Sequence, residues 1–132
     1  MKQLHPRIWL SFFMLLWISC QGPQDFLQAN TWVLYKHVYI NTSQQEHIKD
    51  TFTLSERKLV LSFGESTVNW IEDNRPMLGG YQMLEPDSLH MLGHDFHISR
   101  LGELIMVLEK EDSESLSHYY FAPDDCACWE TD

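Results

Sequence analysis

GYQMLEPDSLHMLGHDFHI, residues 80–98, decides the fold class. Tyr81 and Met83, Leu89 and Met91, and Phe96 and Ile98 recur every second residue, the period of a half-buried strand. Between these pairs, Glu85-Pro86-Asp87-Ser88 forms a tight turn with Pro where its fixed φ fits, and Gly93 bends the chain back. The stretch therefore reads as three short antiparallel strands in a meander.

The same period extends in both directions. Residues 31–40, TWVLYKHVYI, are rich in β-branched and aromatic side chains and predict a strand. A polar connection follows, then a weaker strand over 48–54 and a turn at 55–58. Leu59, Leu61 and Phe63 alternate with Val60 and Ser62, and Gly64-Glu65-Ser66 turns the chain into 67–72, where Val68 and Trp70 share a face. Residues 73–80, with Asn74, Pro76 and two glycines, read as a loop. Leu101-Gly102-Glu103 turns into an apolar run at 104–108, residues 110–115 are charged, and 116–121 close the series. Helical period is confined to a short turn at residues 25–28. Eight or nine short strands predict an all-β, antiparallel up-and-down meander, which closes into a barrel because closure removes unpaired edges. About eight strands leave an interior filled by side chains or wide enough for one small ligand. Trp32 is expected to plug one end.

The first nineteen residues stand apart from this pattern. Lys2 and Arg7 precede an apolar run at 8–18 broken only by Ser11. Eleven helical residues span about 16 Å, well short of the ~30 Å hydrocarbon core of a bilayer. A positive start, a short apolar middle and a small residue at Ser19 describe an export signal rather than a membrane span. Trp17-Ile18-Ser19-Cys20 resembles the lipobox of bacterial lipoproteins, in which the Cys becomes the acylated first residue of the mature chain. Several acyl chains, at about 0.8 kcal/mol per buried CH₂, would hold the domain on the bilayer; ordinary cleavage would release it instead. Cysteine arithmetic agrees with acylation of Cys20, since three cysteines are odd for an exported chain and Cys126 and Cys128 remain as a pair. The expected organisation is a signal peptide at 1–19, a tether at 20–30, a barrel at 31–122 and an acidic tail at 123–132.

The chain carries a formal charge of −10. Loss of residues 1–19 removes Lys2 and Arg7 but no acid, leaving seven basic against nineteen acidic side chains, a charge of −12. Such a surface repels phosphate, which argues against nucleic acid and against electrostatic adhesion to anionic lipid.

Asn30-Thr31-Trp32 sits where lipocalin-like domains place Gly-x-Trp at the start of the first strand. Gly80-Tyr81-Gln82-Met83 and Asp87-Ser88-Leu89-His90-Met91 resemble the hairpin of small bacterial lipocalin-like lipoproteins. Phe96-His97-Ile98-Ser99-Arg100-Leu101, residues 104–108 and Tyr119-Tyr120-Phe121 are similar to that family's last three strands. The resemblance covers about residues 26–122 and rests on hydrophobic and turn patterns, which specify fold far better than function. It implies a lipid-anchored barrel of the bacterial cell envelope, outer membrane included, on the periplasmic or surface face.

Three groups of residues are candidates for chemistry. Trp70, Tyr81, Met83, Tyr119 and Phe121 are the expected inward side chains, a lining suited to an apolar or flat ligand and equally to a plain core. His90, His94 and His97, with Asp95, gather around Gly93; neutral imidazoles on adjacent strands could share zinc or copper, or simply be solvated. Cys126 and Cys128 could close a small strained disulfide, hold a soft metal, bond other chains or do nothing. Asn41-Thr42-Ser43 and Asp87-Ser88-Leu89 fit glycosylation patterns, the first eukaryotic and irrelevant in a bacterium. No nucleophile elbow, zinc-protease helix or phosphate loop appears, so neither an enzyme nor a cofactor is expected. Two functions lead: a membrane-tethered module holding a small apolar ligand, or an accessory lipoprotein with a filled barrel that binds another envelope protein. An enzyme or metal carrier using the His cluster or the Cys pair trails both.

Overall fold

The computed structural model describes residues 22–43 and 45–125. The leader, Cys20, Cys126 and Cys128 lie outside these residues. A helix α1 (Pro23–Ala29) precedes nine strands: β1 (Thr31–Asn41), β2 (Glu46–Thr51), β3 (Leu59–Phe63), β4 (Thr67–Glu72), β5 (Arg75–Glu85), β6 (Ser88–Met91), β7 (His94–Leu101), β8 (Met106–Glu111) and β9 (Ser115–Pro123). All pairings are antiparallel, and β9 returns to β1, from Trp32 opposite Pro123 to Asn41 opposite Ser115. The other side of β1 is shared: β3 pairs with Thr31–Val33, whereas β2 pairs with 36–41. The result is a closed barrel of eight strands with β2 as an additional strand. A 3-10 turn, Leu54–Glu56, occupies the break between β2 and β3.

The alternating pattern fills the barrel. Leu34, Leu59, Leu61, Val68, Leu89, Met91, Phe96, Ile98, Met106, Leu108 and Phe121 belong to one buried cluster with Leu27 and Trp32. At the base, the Trp32 indole donates from Nε1 to the Leu27 carbonyl at 3.1 Å, and both side chains are fully buried. The helix is fastened on its other side by glutamines one turn apart. Gln28 donates to the Gly64 carbonyl and Gln24 to that of Glu65, and both also donate to the Tyr81 hydroxyl. Tyr81 in turn donates to Gly64. Part of the segment expected as a tether is thus a base plate. Pro23 suits the first helical turn, where a missing N–H costs nothing. Asn30 has extended backbone that any residue adopts, and its side chain donates to the Glu103 carbonyl.

The expected loop at 73–80 is a strand. Asp73 and Asn74 both have positive φ, 51° and 65°, and form a two-residue hairpin turn from which β5 starts at Arg75. Pro76 is tolerated because it lies opposite Ile71, beyond the stretch of β5 that pairs with β6. Leu92 and Gly93 make a second such turn, φ 53° and 79°. On β5, a Cβ at Gly79 would lie 2.4 Å from the Leu92 Cδ2 atom, so the Leu92 side chain would have to turn aside.

Replacing Phe121 by Ala should destabilise the fold by about 3–5 kcal/mol, because the cavity lies among fully buried neighbours. Tyr81→Phe, which deletes only the hydroxyl shared by Gly64, Gln24 and Gln28, should cost about 1 kcal/mol. Urea unfolding of the two variants checks the order; no loss in Tyr81→Phe would contradict the role given to α1.

Candidate functional site

The expected inward residues divide between the two ends of the barrel. Phe121 is fully buried, and Tyr81 is buried against Phe63 with ring centroids 5.1 Å apart, so both belong to the core near α1. Met83 is half-buried against the same core. Trp70 and Tyr119 instead meet in the half away from the helix. Their ring centroids are 6.5 Å apart and nearly perpendicular, and each lies 6.3 Å from Phe96. Such edge-to-face contacts add about 0.5–1.5 kcal/mol each to area burial. Met77, cross-strand from Trp70, is 56% exposed. This end, formed by the β1–β2, β4–β5, β6–β7 and β8–β9 turns, is the open rim.

His37 completes the aromatic group and escapes strict alternation. A bulge at Tyr35 shifts the β1–β9 register between Leu34 and Lys36. The shift brings His37 opposite Tyr119, where the rings stack at 4.6 Å and 13°. His37 Nε2 is buried and has no hydrogen-bond partner among the described residues. Burial lowers the His37 pKa below its ordinary value, against the pull of the Asp50 and Glu72 carboxylates. Burial likewise raises the Tyr119 pKa; Glu72 and Asp112 add to the rise and a Ser117 hydrogen bond opposes it. The rim thus joins neutral aromatic groups to several carboxylates.

The histidines around Gly93 do not converge. The β6–β7 register sets His90 opposite Asp95, Met91 opposite His94 and Ser88 opposite His97, so no two of the three imidazoles face each other. His90 Nδ1 lies 2.7 Å from Asp95 Oδ1, and His97 Nδ1 lies 3.8 Å from Asp87 Oδ2. No group of three or more His, Cys, Asp or Glu side chains is placed to hold a metal among the described residues. Asn41-Thr42-Ser43 lies at the β1–β2 turn, where Ser43 donates through its N–H and hydroxyl to Asn41 Oδ1.

Three grooves open on the outside of the barrel. One of about 530 Å³ lies between α1, the β7–β8 turn and the end of β9, lined by Phe26, Leu104 and Pro123 with Asp25, Glu103 and Asp125. A second, about 260 Å³, crosses β7 and β8 beside His97 and Glu109. The third, about 320 Å³, runs beneath Phe26 along Pro86 and Leu101. None of the three is lined by Trp70, Tyr81, Met83, Tyr119 or Phe121.

No family model matches the chain, and neither a curated protein nor a solved structure matches it. The rim geometry carries the functional argument by itself. Its acid–base behaviour is directly measurable. Since folding lowers the His37 pKa, the unfolded chain binds a proton that the folded chain refuses. The stability that His37 contributes is therefore present above pH 6.5, the ordinary imidazole value, and is lost as pH drops toward the lowered folded value. His37→Phe, which keeps a ring on Tyr119, should flatten that part of the urea-midpoint profile between pH 7.5 and 5. Superimposable profiles would mean that His37 is not the group responsible.

Proposed function

We propose that this chain is a lipocalin-like, non-enzymatic binding module of a bacterial cell envelope, held to its membrane through an acylated Cys20. In this reading the barrel interior is a scaffold, and recognition takes place at the open rim. The observation that carries it is the unequal treatment of the two ends. The α1 end is packed shut around Leu27 and Trp32, whereas the rim keeps Trp70, Tyr119 and Met77 incompletely covered. Cys20 lies three residues before Pro23, the first residue of α1, so a membrane anchor at Cys20 would attach at the shut end. The rim would then point away from the bilayer. A continuous buried cluster through the barrel favours this reading over an apolar ligand held at its centre.

Two measurements test the proposal. Metabolic labelling with an alkynyl fatty acid should tag the full-length chain, and Cys20→Ala should abolish the tag and move the protein to the soluble fraction. An untagged wild type would remove the tether. Native mass spectrometry of the detergent-extracted protein should give the mass of the acylated chain alone. Extra apolar mass released on denaturation would restore the central-ligand reading.

A further inference from the structure

We propose that the open rim binds a small organic cation, an arylalkyl primary amine, with its ring against Trp70 and Tyr119 and its ammonium beside Glu72, Asp50 and His37 Nε2. The inference rests on the rim being the recognition surface and goes beyond it by naming the ligand chemistry. Four observations converge. Trp70, Phe96 and Tyr119 present mutually tilted rings rather than a closed stack, and the half-buried Trp70 and Tyr119 leave surface for a further flat group. Aromatic faces attract cations by about 0.5–2 kcal/mol, the more so where water is excluded.

Charge supplies the second observation. Glu72 follows Trp70 in phase on β4, and Asp50 lies opposite His37 across the β1–β2 pair. Both charges act on the His37 ring, so both border the aromatic group. Neither carboxylate has a salt-bridge partner among the described residues. The neighbouring cations form no ion pair with them: Lys58 is held by Asp73 at 2.8 Å, though the Glu72 charge also acts on it, Arg75 lies across the β4–β5 pair from Glu72 without bonding it, and Lys110 lies across β8–β9 from Ser117.

The third observation is the unpartnered His37 Nε2, a buried atom that a neutral imidazole can use to accept from an ammonium N–H. An unmet buried polar atom costs about 1–3 kcal/mol, which a donating ligand would recover. The fourth is position. β2 and β4 stand on either side of the break between β2 and β3 and are not paired; Phe52 fills the break against the core, and Glu72 and Asp50 are exposed beside it. An alcohol of the same shape would satisfy the nitrogen but not the carboxylates. A quaternary ammonium would satisfy the carboxylates but not the nitrogen.

The test is calorimetric titration of the full-length protein in mild detergent with phenethylamine and, separately, with 2-phenylethanol. Phenethylamine should bind saturably and the alcohol about tenfold more weakly or less. Trp70→Ala and Glu72→Gln should each weaken phenethylamine about tenfold, while circular dichroism shows the barrel intact. His37→Gln, whose amide offers a different acceptor position, should weaken the primary amine more than its trimethylammonium analogue. Equal binding of alcohol and amine, unchanged binding to Trp70→Ala, or no saturable heat would each overturn the proposal. Loss of the Cys20 tether would not bear on it, because the titration is insensitive to anchoring; amine binding by an unacylated chain would retain the rim and discard the membrane.

Discussion

The hydrogen bond from the Trp32 indole to the Leu27 carbonyl is the constraint on which the rest of the molecule depends. A fully buried indole N–H must find an acceptor. Strand carbonyls in a closed barrel are committed to neighbouring strands, so the wall offers none to spare. A helix end does, because its last four carbonyls have no intrahelical partner. Seven residues of isolated helix would not be stable in water. Here the helix persists because it gives Trp32 its acceptor, buries Leu27, and places Gln24 and Gln28 on Tyr81. The exchange is mutual: the largest core side chain is satisfied, and one end of the barrel is shut.

Much of this was legible in the sequence, and the misses have physical causes. Strand alternation located the core because inward positions of β3, β6 and the middle of β7 obey period two: Leu59, Leu61 and Phe63, Leu89 and Met91, Phe96 and Ile98. The bulge at Ser99 then turns Leu101 inward instead of Arg100. Residues 73–80 misled because Pro76 and paired glycines usually mark loops. What the composition did not show is that β5 is unpaired on one side over those residues, so the missing N–H breaks no ladder bond. His37 was hidden by the bulge at Tyr35. Counting by twos from Trp32 sends Lys36 inward and His37 outward, and only the shifted pairing with β9 reverses them. Asp50 follows the same logic, since its facing is inherited from His37 across the β1–β2 pair. Glu72, by contrast, lies in phase with Val68 and Trp70, and its position could have been read directly.

The two ends of the barrel use polar atoms in opposite ways. At the base the hydroxyl of Tyr81 has one carbonyl and two amides around it, and the Trp32 indole has its acceptor on α1. At the rim, packing of His37 on Tyr119 takes an imidazole nitrogen out of water without giving it a partner. Desolvation keeps the ring neutral even though Asp50 and Glu72 favour its charged form.

The break between β2 and β3 explains why the rim stays open on one side. Had the strand run unbroken along β1, its outer edge would continue the β3–β4 pairing and cover Trp70. Instead the chain leaves the sheet at Phe52, whose N–H bonds the Tyr35 carbonyl, forms the 3-10 turn, and is tied back through Arg57 to Asp124 beside the end of β9. Val33, Val60 and Ala122 alternate with core residues and so face the outside of the wall, yet all three are buried. The excursion is bonded to β1 through Phe52 and to Asp124 through Arg57, and Phe52 packs on the core. It also releases β2 from β4. The freed edge of β2 carries Glu46, Lys49 and Asp50, charges that discourage a second copy from pairing there. The same interruption thus ends the β1–β2 pairing, fills the gap with Phe52 and leaves β2 a short, charged edge.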